Sequence, residues 1–192
     1  MLKKVDPTTI VFSPGEAREA AVEMVRQNRS PINKGIPFGI HCLDAPRNLL
    51  PLKRGELLSL IGRPRNGKTQ LMMNTALVHV QDLEKASVVN HATVVASWEQ
   101  PVEAMVAYGM ARHTHLSLDQ IATGNISDSE MQLVENYPIV RAGEQLFFLG
   151  FSNTIQARRP PMTVEVVAQA LETIRDWNGV KNSFVLDLVV LD

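Results

Sequence analysis

Residues 57–71 read LLSLIGRPRNGKTQL, which is the most informative stretch of the sequence. The apolar residues at its start predict a buried strand; they are Leu57, Leu58, Leu60 and Ile61. A loop is expected over 62–67, and a helix is expected to begin at Lys68–Thr69. The loop fits G-x-x-x-x-G-K-[ST], a pattern whose backbone amides and lysine hold phosphate groups. Because an apolar run precedes the pattern and helical spacing follows it, the stretch predicts a nucleoside triphosphate site.

Each position of this loop has a physical task. Gly62 and Gly67 lack a Cβ, which permits backbone angles and close approaches that other residues block. The loop amides and the start of the helix present partial positive charge to phosphate oxygens. Lys68 is expected to reach the β- and γ-phosphates, and the Thr69 hydroxyl is expected to hold Mg²⁺. The predicted nucleotide-binding residues are Gly62, Arg63, Pro64, Arg65, Asn66, Gly67, Lys68, Thr69 and Gln70.

Composition sets broad limits on the protein. A length of 192 residues predicts one domain with room for a sizeable core. The net charge of −1 argues against a strongly basic nucleic-acid surface overall, but leaves room for a local basic patch. The single cysteine, Cys42, excludes an internal disulfide and fits a reducing compartment. Neither a membrane span nor a signal peptide is visible in the sequence, so a cytoplasmic location is expected.

A helix is predicted near the N-terminus, from Ser13 to about Asn28. Ser13 can cap it, Pro14 fits the first helical position, and Glu16 lies three residues after the cap. Apolar residues fall on one face of this helix and charged residues on the other. A linker rich in proline and glycine, 29–39, isolates the helix from the rest. Its apolar face must therefore pack on its own domain or on a neighbouring subunit, and the spacing favours neither.

A second buried strand is predicted at 92–97, and Glu99 follows it closely. A carboxylate at the carboxyl end of a parallel strand beside a phosphate site can act as the general base for water attack. An equally simple interpretation is a solvated glutamate at the start of a helix, because Pro101 fits the first helical position. The spacing does not separate these two interpretations.

The C-terminal part contains two more predicted strands, at 146–151 and within 183–192, with a helix capped by Thr163 between them. A P-loop enzyme needs a second carboxylate, at the end of a buried strand next to the loop strand, to hold the Mg²⁺ shell. Asp192 follows four apolar residues, whereas Asp187 follows three. The longer apolar run favours Asp192 as the metal ligand, with Asp187 as the alternative.

Several motifs together resemble the ATPase domain of replicative DnaB-type DNA helicases, within the RecA-like group. The matching residues near the loop are Gly35-Ile36-Pro37-Phe38-Gly39, Leu43-Asp44, Lys53-Arg54-Gly55-Glu56-Leu57, Gly62-Arg63-Pro64 and Asn66-Gly67-Lys68-Thr69. Ser97-Trp98-Glu99 with Gln100-Pro101 resembles that family's Ser-Leu-Glu-Met element, and 118–128 resembles the stretch that follows it. Two departures are Arg65-Asn66, where the family usually has Ser-Met, and Trp98, which stands in place of a leucine.

The resemblance carries expectations for fold and chemistry. It implies an α/β, RecA-like three-layer fold with a mainly parallel sheet over 35–192. Residues 1–34 are expected to form an arm whose helix docks on an adjacent subunit. ATP and Mg²⁺ are the implied cofactors, with Glu99 and Lys68 as the catalytic residues and Thr69 and Asp192 at the metal.

The resemblance also carries expectations for the biological role. It implies a ring of identical subunits, expected to be a hexamer, that couples ATP hydrolysis to unwinding or translocation of DNA during replication. Single-stranded DNA is the expected partner. The family's remaining strands, DNA-binding loops and arginine finger are expected beyond residue 192, after the strand that carries Asp192. The chain alone is therefore expected to bind nucleotide weakly and to hydrolyse it slowly.

A different class of protein fits part of the same pattern. RecA-like proteins that resemble the circadian KaiC group, and recombination ATPases, use a P-loop and a glutamate to gate assembly without unwinding DNA. The matches at Gly35–Gly39 and Thr123–Asp128 favour the helicase class, whereas the missing N-terminal domain of the helicase family favours the second class.

Overall fold

A computed structural model describes residues 13–27, 29, 35–44, 51–53, 55–138, 145–154 and 162–192. The chain divides into two units, with the boundary between Gly35 and Ile36. The first unit contains the helix α1 (Pro14–Gln27). The helices of the second unit are α2 (His41–Asp44), α3 (Lys68–Lys85), α4 (Val102–Thr114), α5 (Leu118–Thr123), α6 (Asp128–Glu135) and α7 (Val164–Arg175). Its strands are β1 (His91–Ala96), β2 (Leu146–Leu149) and β3 (Val185–Leu191).

Helix α1 begins as the sequence predicts. The Ser13 amide donates to Glu16 Oε2 at 2.7 Å, and the Glu16 amide donates to Ser13 Oγ at 3.3 Å, which is the reciprocal pattern of a capping box. Apolar side chains of the helix are exposed, with Met24 at 53% and Val25 at 57%. The predicted helix end at Asn28 and most of the linker lie outside the described residues. Docking of α1 on an adjacent subunit stays a prediction.

The three strands form one parallel sheet in the order β2-β1-β3. The central strand β1 is buried at every residue except the partly exposed His91, as expected for a strand covered on both faces. In a parallel sheet all carboxyl ends lie at the same edge, so Ala96, Leu149 and Leu191 end the strands side by side. The predicted α/β class with a mainly parallel sheet is therefore confirmed.

Helices cover both faces of this sheet. On one face, α3 and α4 pack against alternate strand residues; this cluster includes Met73, Ala76, Met105, Val95, Leu188 and Val190. On the other face, α7 packs against the residues in between; this cluster includes Ile174, Leu171, Ala92, Val94, Phe147 and Leu186. The period-two alternation along the strands thus produces three layers. Helix α7 begins where predicted, because Thr163 Oγ1 accepts from the Val166 amide at 3.3 Å.

Residues 57–61 do not form the predicted buried strand. This segment has no strand assignment, and Leu57 and Ile61 are 93% and 96% exposed. A buried parallel strand needs hydrogen-bonded neighbours and helices on its faces. Within the part of the chain that the structure describes, no strand pairs with 57–61. The apolar run therefore stays exposed, although the loop and the helix that follow it form as predicted.

The helices of the described segments are too short or too polar for a membrane span.

Candidate nucleotide and magnesium site

The loop 62–67 reaches helix α3 through a turn of left-handed residues. The Asn66 amide donates to the Arg63 carbonyl at 3.3 Å, and both Arg65 and Gly67 have positive φ, at 65° and 74°. Gly67 thus needs the freedom that only glycine has without strain. Gly62 does not have a positive φ, and a Cβ there would make ordinary contact with Lys68 Cδ at 3.7 Å. The prediction that Gly62 needs a backbone angle special to glycine is therefore wrong for this structure.

The N-terminus of α3 faces the loop without a side-chain cap. Gly67 occupies the N-cap position and offers no capping group, and the first turn of the helix contains no acidic residue. The first amides of a helix lack partners within the helix, and over 18 residues the peptide dipoles add partial positive charge at this end. The end of the helix is therefore suited to bind a phosphate group.

The side chain of Lys68 folds over the loop. Its Nζ donates to the carbonyls of Gly62 and Arg63, each at 3.1 Å. The ammonium group therefore lies close to the first residues of the loop. Since carbonyl oxygens are weaker acceptors than phosphate oxygens, an arriving phosphate would compete favourably for this group.

Thr69 and Asp192 meet although 123 residues separate them in sequence. The Thr69 hydroxyl donates to Asp192 Oδ1 at 2.9 Å. Asp192 follows β3 directly, and its amide donates to the Ala96 carbonyl at 2.8 Å, which continues the ladder with β1. The structure thus brings a hydroxyl and a carboxylate together at the carboxyl edge of the sheet, beside the loop. This edge is where ligands bind in open α/β sheets.

Asp187 lies elsewhere and makes different contacts. The register between β1 and β3 skips it, because Ala92 pairs with Leu186 and Thr93 pairs with Leu188. Its carboxylate is 5% exposed, at 2.5 Å from His91 Nδ1 and 3.7 Å from His79 Nε2. His91 begins β1, so this cluster lies at the opposite edge of the sheet from Asp192. The structure does not bring Asp187 to Thr69.

Glu99 lies in a turn, 97–101, between β1 and α4. The Trp98 amide donates to the Asp192 carbonyl at 3.1 Å, and Trp98 Nε1 donates to the Met162 carbonyl. The Glu99 side chain is exposed. The turn that carries Glu99 is therefore held against the end of β3, next to the carboxylate that contacts Thr69.

These features coincide with a match to a known family. Residues 35–159 match the family described as DnaB-like helicase C terminal domain. This chain belongs to that family. The match spans more than half of the 192 residues and confirms the resemblance read from the sequence. A search of curated proteins found no match to the chain.

The family match includes the loop, Thr69 and Glu99 but ends before β3. The choice between Asp192 and Asp187 is therefore independent of it. That choice depends on the hydrogen bond of 2.9 Å between the Thr69 hydroxyl and Asp192.

The donor set at this contact fits Mg²⁺. This ion is commonly held by one or two carboxylates or hydroxyls together with waters and substrate phosphates. Thr69 Oγ1 and Asp192 supply two hard oxygen donors of this kind. In the described ranges, no three His, Cys, Asp or Glu side chains form a group that could hold a metal by themselves.

The two aspartates give opposite predictions. Asp192→Asn is expected to lower the Mg²⁺-dependent part of ATP affinity by about tenfold, with little change in stability, because a metal-holding charge is lost. Asp187→Asn is expected to lower the free energy of unfolding by about 1–3 kcal/mol and to leave Mg²⁺ dependence unchanged, because the buried carboxylate that hydrogen-bonds to His91 is lost. ATP titrations with and without Mg²⁺, and urea denaturation, measure both quantities. Reversed effects would assign the metal to Asp187.

Glu103 is a residue that the sequence reasoning missed. Its Oε1 accepts hydrogen bonds from the Ser152 hydroxyl, from Thr154 Oγ1 at 2.6 Å and from the Thr154 amide at 3.1 Å. These bonds, led by the one from Ser152, lower the pKa of the Glu103 carboxyl to about 2. The adjacent Val102 amide donates to the Phe151 carbonyl at 2.9 Å. Glu103 therefore fastens the loop after β2 to the start of α4, just after the Glu99 turn.

The pKa of Glu103 predicts a loss of stability in acid. The ordinary pKa is 4.5 and the folded pKa is about 2, so the ionised carboxylate stabilises the fold above pH 4.5. This contribution is lost as the pH falls from 4.5 through about 2. An NMR titration of the Glu103 carboxyl carbon measures the pKa. In the double variant Ser152→Ala, Thr154→Val, the pKa is expected to rise towards its ordinary value, and an unchanged pKa would contradict the assigned cause.

Proposed function

We propose that this chain binds and hydrolyses ATP as the ATPase domain of a ring-forming DNA helicase. The observation that carries the proposal is the contact between Thr69 and Asp192 at 2.9 Å, beside the uncapped end of α3. In this proposal residues 35–192 form the ATPase domain and residues 1–34 form the arm whose helix docks on an adjacent subunit.

The binding step follows from the loop. Phosphate oxygens of ATP would accept from loop amides and from the first amides of α3, and Lys68 would leave the Gly62 and Arg63 carbonyls to contact the β- and γ-phosphates. When bound, Mg²⁺ would neutralise charge on these phosphates. Thr69 and Asp192 would hold the ion, and their present hydrogen bond shows that they lie within reach of each other.

The hydrolytic step needs a base and a water molecule. Glu99 is exposed at the carboxyl edge of the sheet, in the turn held against Asp192, and would accept a proton from the attacking water. The coupling of this chemistry to movement along single-stranded DNA would need a ring of copies, which family membership supports. A hexamer in the cytoplasm is the proposed form.

Strand displacement tests the proposal as a whole. The longest available form of the protein is incubated with ATP, Mg²⁺ and a forked DNA duplex labelled on one strand. ATP-dependent release of the labelled strand is expected, and Lys68→Ala is the control that should abolish it. ATP hydrolysis without strand release would instead favour a regulatory RecA-like ATPase that gates assembly.

A further inference from the structure

Ser97 lies at the centre of a small hydrogen-bond network behind the Glu99 turn. It follows β1 directly and is fully buried, with 0% of its surface exposed. Its Oγ accepts from the Gln100 amide at 2.9 Å and from the Glu99 amide at 3.3 Å. The same Oγ donates to Asp192 Oδ2 at 3.4 Å. A hydroxyl offers one proton and two lone pairs, so these three contacts use its full capacity.

The backbone around Ser97 is attached to both neighbouring strands. The Ser97 amide donates to the Leu149 carbonyl at 3.0 Å, which fixes the residue to the end of β2. On the opposite side, the Trp98 amide donates to the Asp192 carbonyl at 3.1 Å, which fixes the turn to the end of β3. A Cβ at Gly150 would lie 3.3 Å from the Ser97 carbonyl oxygen, so the packing on the β2 side is close.

We propose that Ser97 is a positioning residue that holds the Glu99 turn on the Asp192 carboxylate. The backbone of the proposed general base then stays close to the proposed metal-holding carboxylate, because one hydroxyl contacts the Glu99 amide and the Asp192 side chain. This inference rests on the proposed function, which assigns the roles of Glu99 and Asp192. Ser97 touches neither phosphate nor water in this account and is not a catalytic residue.

The chain offers a matched control for the loss of this hydroxyl. Thr93 belongs to β1 and is 0% exposed, and its Oγ1 has no hydrogen-bond partner among the residues described. Ser97→Ala and Thr93→Val therefore each remove one buried hydroxyl from the same stretch of chain. Only the first removes hydrogen bonds to the Glu99 turn. An effect shared by both variants would come from general loosening of the core.

Amide hydrogen exchange tests the placement of the turn without any nucleotide. In Ser97→Ala, the Glu99 and Gln100 amides are expected to exchange about fivefold to tenfold faster than in the wild type. Ser97→Cys, which keeps a weak donor and acceptor, should give an intermediate rate. Asp192→Ala should also raise the rates, since the Ser97 proton loses its acceptor. Thr93→Val should leave both rates unchanged.

ATP titrations with and without Mg²⁺ then test the functional consequence. The gain in ATP affinity on adding Mg²⁺ is expected to fall about fivefold to tenfold in Ser97→Ala and to be unchanged in Thr93→Val. Unchanged exchange in Ser97→Ala or in Asp192→Ala, or equal effects in Thr93→Val, would overturn the inference. If the wild type binds no ATP, the proposed function fails, and the exchange rates still decide whether Ser97 holds the turn.

Discussion

Lys68→Ala is expected to weaken Mg²⁺-ATP binding by at least about 100-fold, because charge-assisted hydrogen bonds to two phosphates are lost. In the structure Lys68 Nζ lies 3.1 Å from the carbonyl oxygens of two loop residues, Gly62 and Arg63, so its ammonium group is already at the loop. Equilibrium titration with a fluorescent ATP analogue measures the effect.

A second lysine of the same helix provides the control. Lys85 ends α3, its side chain is 75% exposed, and it pairs only loosely with Asp82 at 3.4 Å. Lys85→Ala removes the same charge from the far end of α3 and is expected to change ATP affinity by less than about twofold, since exposed ion pairs contribute little. Equal ATP affinity of the Lys68→Ala variant and the wild type would show that the loop is not part of the ATP-binding site.

Glu99→Gln is expected to slow ATP hydrolysis by about 10²–10⁴-fold while ATP affinity stays within about twofold of the wild type. The amide keeps the size of the side chain but cannot accept the proton of the attacking water. Hydrolysis is measured under single-turnover conditions with excess protein, because the wild-type chain alone is expected to be slow. A large loss of hydrolysis rate with nearly unchanged ATP affinity is the result expected for loss of a general base.

The exposed Glu135 at the end of α6 provides the control for this change. Glu135→Gln removes the same charge far along the chain from the Glu99 turn and should leave both hydrolysis and binding unchanged. Full hydrolytic activity in Glu99→Gln would assign the base to another residue. A parallel loss of binding would show that Glu99 acts on the nucleotide before the chemical step.

Features that depend on neighbouring residues were predictable from the sequence. The helix caps at Ser13 and Thr163 could be predicted because each hydroxyl accepts a hydrogen bond from an amide only three residues later in the chain. The strand β1 could be predicted because a strand that is buried on both faces has a short, continuous apolar run in its sequence. The loop and the start of α3 follow from Gly67, whose positive φ a local pattern can indicate.

Features that depend on distant partners could not be predicted in the same way. Residues 57–61 are as apolar as a buried strand, but burial requires a neighbouring strand that their own sequence cannot supply. Asp187 and Asp192 both follow apolar residues, so the local sequence does not distinguish them. They differ in tertiary structure, because β3 has an irregular register with β1 at Asp187, and the Asp187 carboxylate contacts His91. Ser152, which donates to Glu103 from the loop after β2, lies 49 residues further along the chain, so no short sequence motif predicts their contact.

Calorimetric titration of the wild-type chain with ATP, with Mg²⁺ and then with EDTA, tests the central claim most directly. The account predicts saturable binding at one site per chain, with an affinity that falls when Mg²⁺ is removed, because Thr69 and Asp192 then hold no ion. A folded, monodisperse chain that gives no binding heat over a range of temperatures, with or without Mg²⁺, would contradict the assignment of this loop as a working ATP site.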